Sequence, residues 1–139
     1  MTLVVDASVA CKWFIEEEGW HEAQQIVEVE ETLVAPDLIV AEISNIFWRK
    51  VRLDQMLPSH ATAGIDGLMI TLTDIVPCAA LVPRALEISL ELDHPAYDCF
   101  YIALAERKDV KLVSADAKLQ QLTSATAFER YVVGLSSIA

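Results

Sequence analysis

The sequence contains no apolar run of the ~18 residues that a membrane-spanning helix requires. Only four glycines and five prolines occur among 139 residues, which excludes the flexible, low-complexity stretches of linkers and disordered segments. No basic residues precede the first apolar stretch, and Asp6 interrupts it, so a signal peptide is not expected. These absences predict a globular, cytoplasmic protein without a membrane segment, and we expect residues 1–139 to form a single domain.

Cysteine and histidine are also scarce, which bears on metal binding. Cys11, Cys78 and Cys99 form no CxxC pair, and the three histidines are scattered along the chain. Zinc sites need closely spaced ligands of these types, so the sequence has no zinc motif. We expect reduced thiols, as is usual for cytoplasmic proteins.

Basic residues are much rarer than acidic ones. Ten lysines and arginines face 21 aspartates and glutamates, for a net charge of −11. Such a surface does not attract nucleic acid by bulk electrostatics, although basic residues cluster locally at 49–52 and 107–111. Composition therefore neither predicts nor excludes a nucleic-acid enzyme. The candidates for phosphate contact are Lys12, Arg49, Lys50 and Arg52. A solvated charge on a helix is nevertheless the more frequent role of such residues.

Two short apolar runs each lead into an aspartate and then into a helical pattern. Leu3-Val4-Val5 precedes Asp6, and the run 112–115 precedes Asp116. Continuous apolar runs of this length predict strands that are buried on both faces of a parallel sheet. Ligands of open α/β sheets bind beyond the carboxyl ends of the strands, where both aspartates would lie. A simpler role for Asp6 is to cap the next helix.

The remaining pattern alternates strands with helices. We predict strands at 3–5, 33–35, 74–76, 111–115 and 131–133. We predict helices at 7–17, 20–31, 38–52, 58–72, 79–92, 96–108 and 117–122, the third of them N-capped by Asp37. Strict alternation of this kind predicts an α/β fold with a parallel sheet that helices cover on both faces.

Two further acids, Glu42 and Asp98, lie in helices that are otherwise almost entirely apolar. Such helices are largely buried, so each carboxylate should face either an ionic partner or a cavity. The simpler interpretations are a surface stripe for Glu42 and a favourable first-turn position for Asp98, worth ~0.3–1 kcal/mol. We call Asp6, Glu42, Asp98 and Asp116 the acidic set.

Convergence of the acidic set would have a chemical consequence. Two like charges ~4 Å apart repel by ~4 kcal/mol at an effective dielectric constant near 20. The carboxylates would then have to take up protons or hold a divalent cation, and oxygen ligands select Mg²⁺ or Mn²⁺. A carboxylate-bound Mg²⁺ with water in its open positions suits phosphodiester hydrolysis.

Four motifs in register carry a family resemblance across essentially the whole chain. They are VDASVA at 5–10 with KWF at 12–14, PDL at 36–38 with AE at 41–42, HPAYDC at 94–99 with ALA at 103–105, and LVSAD at 112–116 with KL at 118–119. On these motifs the chain resembles PIN-domain proteins, specifically the VapC-like toxins of prokaryotic toxin–antitoxin pairs.

The resemblance implies a three-layer fold with a parallel five-stranded sheet of order 3-2-1-4-5 flanked by helices. It also implies a metal-dependent endoribonuclease that cuts single-stranded regions of RNA with the acidic set, using Mg²⁺, for which Mn²⁺ may substitute. Ser8 resembles the family's hydroxyl residue beside the first aspartate, and Ser114 stands where many relatives carry threonine. The resemblance further implies a homodimer and a VapB-like antitoxin that inserts a segment into the active-site groove.

Three other functions are alternatives to the nuclease. A phosphatase of the haloacid-dehalogenase type needs a second aspartate two residues after the first, where this chain has Ser8. A receiver domain needs an acidic pair beside the first strand and a late lysine, and neither pattern is clear. A catalytically inactive PIN-like module that binds RNA or protein is the main alternative, although the complete acidic set favours catalysis.

Overall fold

The computed structural model describes residues 1–29 and 32–138. The strands are β1 (Thr2–Val5), β2 (Thr32–Pro36), β3 (Asp74–Val76), β4 (Lys111–Ser114) and β5 (Val132–Gly134). The α-helices are α1 (Ala7–Ala10), α2 (Trp20–Val29), α3 (Leu38–Arg52), α4 (Pro58–Thr71), α5 (Val82–Leu92), α6 (Ala96–Lys108), α7 (Ala117–Thr123) and α8 (Leu135–Ile138). Short 3₁₀ turns lie at Cys11–Trp13, Cys78–Ala80 and Glu129–Tyr131.

The strands form one five-stranded sheet of order β3-β2-β1-β4-β5, in which every pairing is parallel. Successive side chains on β1 point to opposite faces, yet Leu3, Val4 and Val5 are all buried, so both faces are covered. The predicted strand order and the α/β class are thus confirmed. The order in which strands are added to the sheet reverses between β1 and β4, which are neighbours through the pairing of Val5 with Val113. Ligands of such sheets usually bind at this switch point.

Helix α6 is the helix most deeply buried against the sheet. It contacts β1, β2 and β4, and five consecutive residues from Tyr101 to Ala105 are buried. An almost entirely apolar helix can be buried on most sides, as predicted. Its first turn, which carries Asp98, lies toward the carboxyl ends of the strands.

The first two helices differ from the prediction. Helix α1 ends at Ala10 rather than at residue 17, and the chain continues as the 3₁₀ turn Cys11–Trp13. Tertiary hydrogen bonds hold this turn, because the Trp13 indole donates to the Ala23 carbonyl at 3.0 Å and Gln24 donates to the Trp13 carbonyl at 3.0 Å. The last two residues predicted for the second helix lie outside the described residues.

Asp37 occupies the predicted N-cap position of α3, but its side chain does not cap the helix. The side chain instead accepts a hydrogen bond of 3.0 Å from the Cys78 backbone N–H, beyond β3. The tertiary contact therefore replaces the local one.

The helix predicted at 79–92 begins at Val82 with Pro83 in its first turn, and helix α8 was not predicted.

The remaining helices and strands match the predicted spans to within two residues. Among the described residues, no helix has both the length and the apolar character needed to cross a membrane.

Candidate active site

Asp6 lies directly after β1 with 6% of its surface exposed. Its Oδ1 accepts hydrogen bonds from the Ser8 hydroxyl at 2.5 Å and from the Val9 backbone N–H at 3.2 Å. Asp6 therefore does cap α1, as the simpler interpretation held. Burial raises the pKa of Asp6 to about 6, although hydrogen bonds from Ser114, Ser8 and Val9 oppose the rise. A fully buried carboxylate with no cationic partner is costly when ionised.

Ser8 and Ser114 join the ends of the two central strands. The Ser8 hydroxyl donates to Asp6 and accepts from the Ala115 N–H at 3.0 Å. The Ser114 hydroxyl accepts from the Asp116 N–H at 3.0 Å and also hydrogen-bonds Asp6. Both serines singled out from the sequence thus lie beside Asp6, and together they hold the β1 and β4 ends in register.

Glu42 reaches the same region from α3 and is half-buried. Its Oε1 accepts a hydrogen bond of 2.5 Å from the Tyr101 hydroxyl. Burial raises the pKa of Glu42, the Tyr101 bond opposes the rise, and the charges of Asp98 and Asp6 add to it. Burial and the charge of Glu42 in turn raise the pKa of Tyr101, so the phenol stays protonated and keeps donating.

Asp98 lies in the first turn of α6, where His94 contacts it. His94 Nε2 is 2.7 Å from Asp98 Oδ2, and the His94 carbonyl accepts a hydrogen bond of 2.5 Å from Ser89. The charge of Asp98 acts on both Asp6 and Glu42. These three acids, which we call the acidic trio, are therefore electrostatic neighbours, although they lie 36 to 92 residues apart in the chain.

Asp116 belongs to the same sheet edge but is arranged differently. Its side chain caps α7 by accepting from the Lys118 N–H at 2.9 Å. The charges that raise the pKa values of Asp6 and Glu42 are that of Asp98 and, for Glu42, also that of Asp6. The structure thus brings three members of the acidic set together and holds the fourth nearby in a capping role.

Tyr101 and His94 were not identified as site residues from the sequence. Tyr101 lies on α6 three residues after Asp98, whereas His94 lies four residues before Asp98 and precedes the helix. Side chains three or four positions apart share one face of a helix, so the spacing was an available signal for Tyr101. What the spacing could not reveal is that Tyr101 reaches Glu42 on another helix.

The family model for the PIN domain matches residues 3–124. The chain belongs to the PIN domain family.

Two curated relatives extend this match over most of the chain. Ribonuclease VapC3 of Pyrobaculum aerophilum is 28% identical over 123 residues, which cover 87% of this PIN domain protein and 94% of the relative. Ribonuclease VapC9 of Mycobacterium tuberculosis is 30% identical over 117 residues, which cover 84% and 87% of the two chains.

Solved structures share the PIN fold at low identity. The toxin VapC20 of Mycobacterium tuberculosis, which cleaves the sarcin–ricin loop, aligns with a TM-score of 0.71 at 14% identity over 86% of this chain and 93% of its own. A toxin–antitoxin complex from Klebsiella pneumoniae aligns with a TM-score of 0.69 at 14% identity, covering 96% and 97%. At these identities the likeness shows the fold.

The donor chemistry of this PIN domain suits a hard divalent cation, because such ions prefer carboxylate oxygens as ligands. Glu42 and Asp98 each engage one oxygen with a neighbour, and among the described residues their second oxygens have no hydrogen-bond partner. In residues 1–29 and 32–138 no lysine or arginine pairs with the acidic set. In the same residues no three carboxylate, histidine or cysteine side chains lie close enough together to hold a metal ion. The trio offers oxygen donors and unbalanced charge, which suit Mg²⁺, but its carboxylates are not drawn together into a ligand group.

Proposed function

We propose that this PIN domain protein is the toxin of a toxin–antitoxin pair, an endoribonuclease that hydrolyses phosphodiester bonds in single-stranded regions of RNA with Mg²⁺ or Mn²⁺. The observation that carries the proposal is the acidic trio, which lies at the carboxyl edge of the sheet and has no lysine or arginine partner among residues 1–29 and 32–138. The ribonuclease names of the relatives and the toxin structures with the same fold support it.

In this proposal Asp6 and Asp98 hold the cation, with Asp116 as a further ligand that contributes directly or through water. When bound, Mg²⁺ lowers the pKa of a coordinated water and offsets the charge that develops on the phosphate oxygens. Ser8 and Ser114 orient the Asp6 carboxylate through their hydrogen bonds. Asp6 thereby presents its charge in one fixed direction.

Glu42 is the proposed general base, or a ligand of a second ion. The pKa of Glu42 is raised toward neutral pH. A general base accepts a proton from water most effectively when its pKa lies near the working pH. Tyr101 occupies Oε1, so Oε2 is the oxygen that faces the attacking water. In-line attack on the phosphate then leaves a 3′-hydroxyl on one fragment.

The proposed partner is an antitoxin with a basic segment. An arginine can pair with a carboxylate through two parallel hydrogen bonds. The acidic trio, which has no lysine or arginine partner in the part of the chain that the structure describes, provides such carboxylates. The related Klebsiella pneumoniae structure is a toxin–antitoxin complex. We expect this complex to weaken as salt is added and when the trio is neutralised, whereas a salt-insensitive complex would contradict this mode of docking.

The homodimer also stays a prediction, to be checked by light scattering.

The experiment is an RNA cleavage assay with structured RNAs, in Mg²⁺, in Mn²⁺ and in EDTA. We expect Asp6→Asn and Asp98→Asn to lose at least about 100-fold in rate, because each removes a charge from the site. Asp74→Asn is the matched control, since Asp74 is exposed at the amino end of β3. Full activity of Asp98→Asn, or cleavage in EDTA, would overturn the proposal. RNA binding without cleavage would instead indicate an inactive binding module.

A further inference from the structure

Lys12, which follows α1 in the 3₁₀ turn Cys11–Trp13, is not the solvated charge that the sequence predicts. Its side chain is only 12% exposed, and its Nζ lies 3.1 Å from Glu17 Oε1. Lys50 Nζ, from the last turn of α3, lies 3.6 Å from the other oxygen of the same carboxylate. One glutamate is thus held between two lysines, and we call these residues the Lys12–Glu17–Lys50 cluster.

The cluster carries a net positive charge in a chain of net charge −11, because two lysines face one glutamate. Both lysines stand on helical segments, whereas Glu17 lies in the loop between residue 14 and α2. Burial would raise the pKa of Glu17, but hydrogen bonds from Lys12 and Cys11 and the lysine charges hold it below its ordinary value. Glu17 is therefore an ionised anion on a loop that faces two fixed cations.

The contact between Glu17 and Lys50 is weak enough to be exchanged. The two side chains are 31% and 28% exposed, and their 3.6 Å separation is long for an ion pair. Partly exposed pairs of this kind contribute about 0–1 kcal/mol. An incoming anion can therefore replace the carboxylate at Lys50 at little cost.

Two cavities meet at Lys12. One, of about 450 Å³, extends from Lys12 to Ala115 and Ala117, the residues on either side of Asp116. The other, of about 510 Å³, is lined by Lys12 together with Trp20 and His60. Both volumes fall in the range of ligand pockets. Lys12 thus lies between the residues that flank Asp116 and a cavity lined by aromatic rings. Unstacked bases can stack on rings of this kind.

We propose that Lys12 and Lys50 form a phosphate subsite for the RNA strand, joined by a cavity to the residues on either side of Asp116, and that Glu17 occupies this subsite until a backbone phosphate displaces it. The inference rests on the proposed ribonuclease function and names a substrate-binding element of that site. A phosphodiester and a carboxylate each carry one negative charge, so the exchange keeps the charge balance of both lysines. The phosphate oxygens accept hydrogen bonds from both ammonium groups at once.

The test is fluorescence anisotropy with a labelled single-stranded RNA of about 12 nucleotides, a length that spans several phosphates. Ca²⁺ replaces Mg²⁺, and a denaturing gel confirms that the RNA stays intact. We expect Glu17→Gln to lower the Kd about 3- to 10-fold and Lys12→Gln to raise it about 10-fold. Lys12→Gln should also reduce the slope of log Kd against log salt by about 0.7, the value for one phosphate on a single strand.

Matched controls separate the subsite from general charge effects. Glu91→Gln and Lys108→Gln make the same charge changes at exposed positions on α5 and at the far end of α6. Lys12→Arg keeps the charge and should bind RNA as the wild type does, and Lys50→Gln tests the second lysine at a more exposed position. We expect the effect of Glu17→Gln to disappear in the Lys12→Gln, Lys50→Gln background.

The outcomes also distinguish this inference from the proposed function. If the wild type cleaves RNA but the cluster variants change the Kd no more than their controls, the subsite is overturned and the cluster is only structural. If the wild type neither cleaves nor binds RNA, the proposed function fails and the subsite fails with it.

Discussion

Each acid near the end of β1 meets a different neighbour, and that neighbour decides how the carboxylate behaves. Asp6 is buried among hydroxyl and backbone donors, Glu42 accepts from a phenol, and Asp98 contacts an imidazole. Donors to a ligand carboxylate fix its orientation, and removing them commonly costs 10–100-fold in metal affinity or activity. At the scale of single residues, we therefore expect the proposed site to depend on Tyr101 and His94 as well as on the acids.

Tyr101→Phe should reduce RNA cleavage about 10-fold while the protein remains folded. Loss of the phenol donor raises the pKa of Glu42 further, because burial and the charges of Asp98 and Asp6 are then opposed less. The acid limb of the pH–rate profile should consequently move to higher pH. Tyr97→Phe is the control, since Tyr97 is exposed on the same helix. An unshifted profile would remove Tyr101 from the positioning role.

Asp6 should make the metal-free protein less stable as the pH rises. Its pKa is 3.8 as an ordinary carboxyl and about 6 in the folded chain, so between these values the folded state binds more protons than the unfolded state. Linkage then lowers the free energy of unfolding by about 3 kcal/mol as pH rises from about 4 to about 6. Groups with lowered pKa values, such as Glu17 and Glu106, act in the opposite direction but are shared by any Asp6 variant.

Denaturant unfolding in EDTA across this pH range measures the effect as a difference between variants. Relative to wild type, Asp6→Asn should gain stability steadily from about pH 4 to about pH 6 and then hold that gain. Asp74→Asn, at an exposed position, should run parallel to the wild type. A pH-independent difference for Asp6→Asn would show that Asp6 ionises in the fold as it does in water.

At the scale of helices and strands, α4 packs closely against aromatic rings. A Cβ at Gly64 would lie 2.7 Å from Phe47 Cε2, and one at Gly67 would lie 2.6 Å from Phe14 Cε1. The two rings themselves stack edge to face, with centroids 6.2 Å apart. Glycines that weaken the helix by propensity are therefore required by its packing, which the sequence pattern alone does not show.

Gly64→Ala should lower the free energy of unfolding by about 1–2 kcal/mol, although alanine is the better helix former. Phe47 is 2% exposed and cannot move aside, so the added methyl forces the helices apart. Gly67→Ala should cost less, because Phe14 is only partly buried and its ring can turn. Urea unfolding compares the two variants, and a Gly64→Ala protein more stable than wild type would contradict the close packing.

At the scale of the whole molecule, the charge is strongly one-sided. A net charge of −11 makes the folded chain repel itself, and the acidic trio concentrates part of that repulsion at one sheet edge. Several ion pairs act in the opposite direction, including Arg84 between Glu87 and Glu106 across α5 and α6. Because these pairs are partly exposed, they offset little of the excess.

Raising NaCl from about 20 mM to about 300 mM in EDTA should therefore increase the Tm of the protein by about 3 °C. Salt screens the long-range repulsion more than it weakens the short ion pairs. Glu28→Lys, which reduces the net charge by two at an exposed position, should show a smaller increase. A Tm that falls with salt would mean that the ion pairs dominate.

The sequence by itself determined the strands, most helix spans and the α/β class, because alternation of apolar runs with helical periodicity depends on neighbours within a few residues. Its motifs also singled out Ser8, as a hydroxyl residue beside the first aspartate, and Ser114, at a position where relatives carry threonine. Only the tertiary structure decided that Asp37 binds Cys78 rather than capping α3, and that Tyr101 holds Glu42.

The same distinction holds for the charges. The sequence suggests Lys12 as a solvated residue, yet folding places it against Glu17 and Lys50. It also cannot tell that Asp116 caps α7 while the other three acids influence one another. These outcomes depend on which side chains the sheet and helices bring together across tens of residues, and local pattern carries no information about those distances.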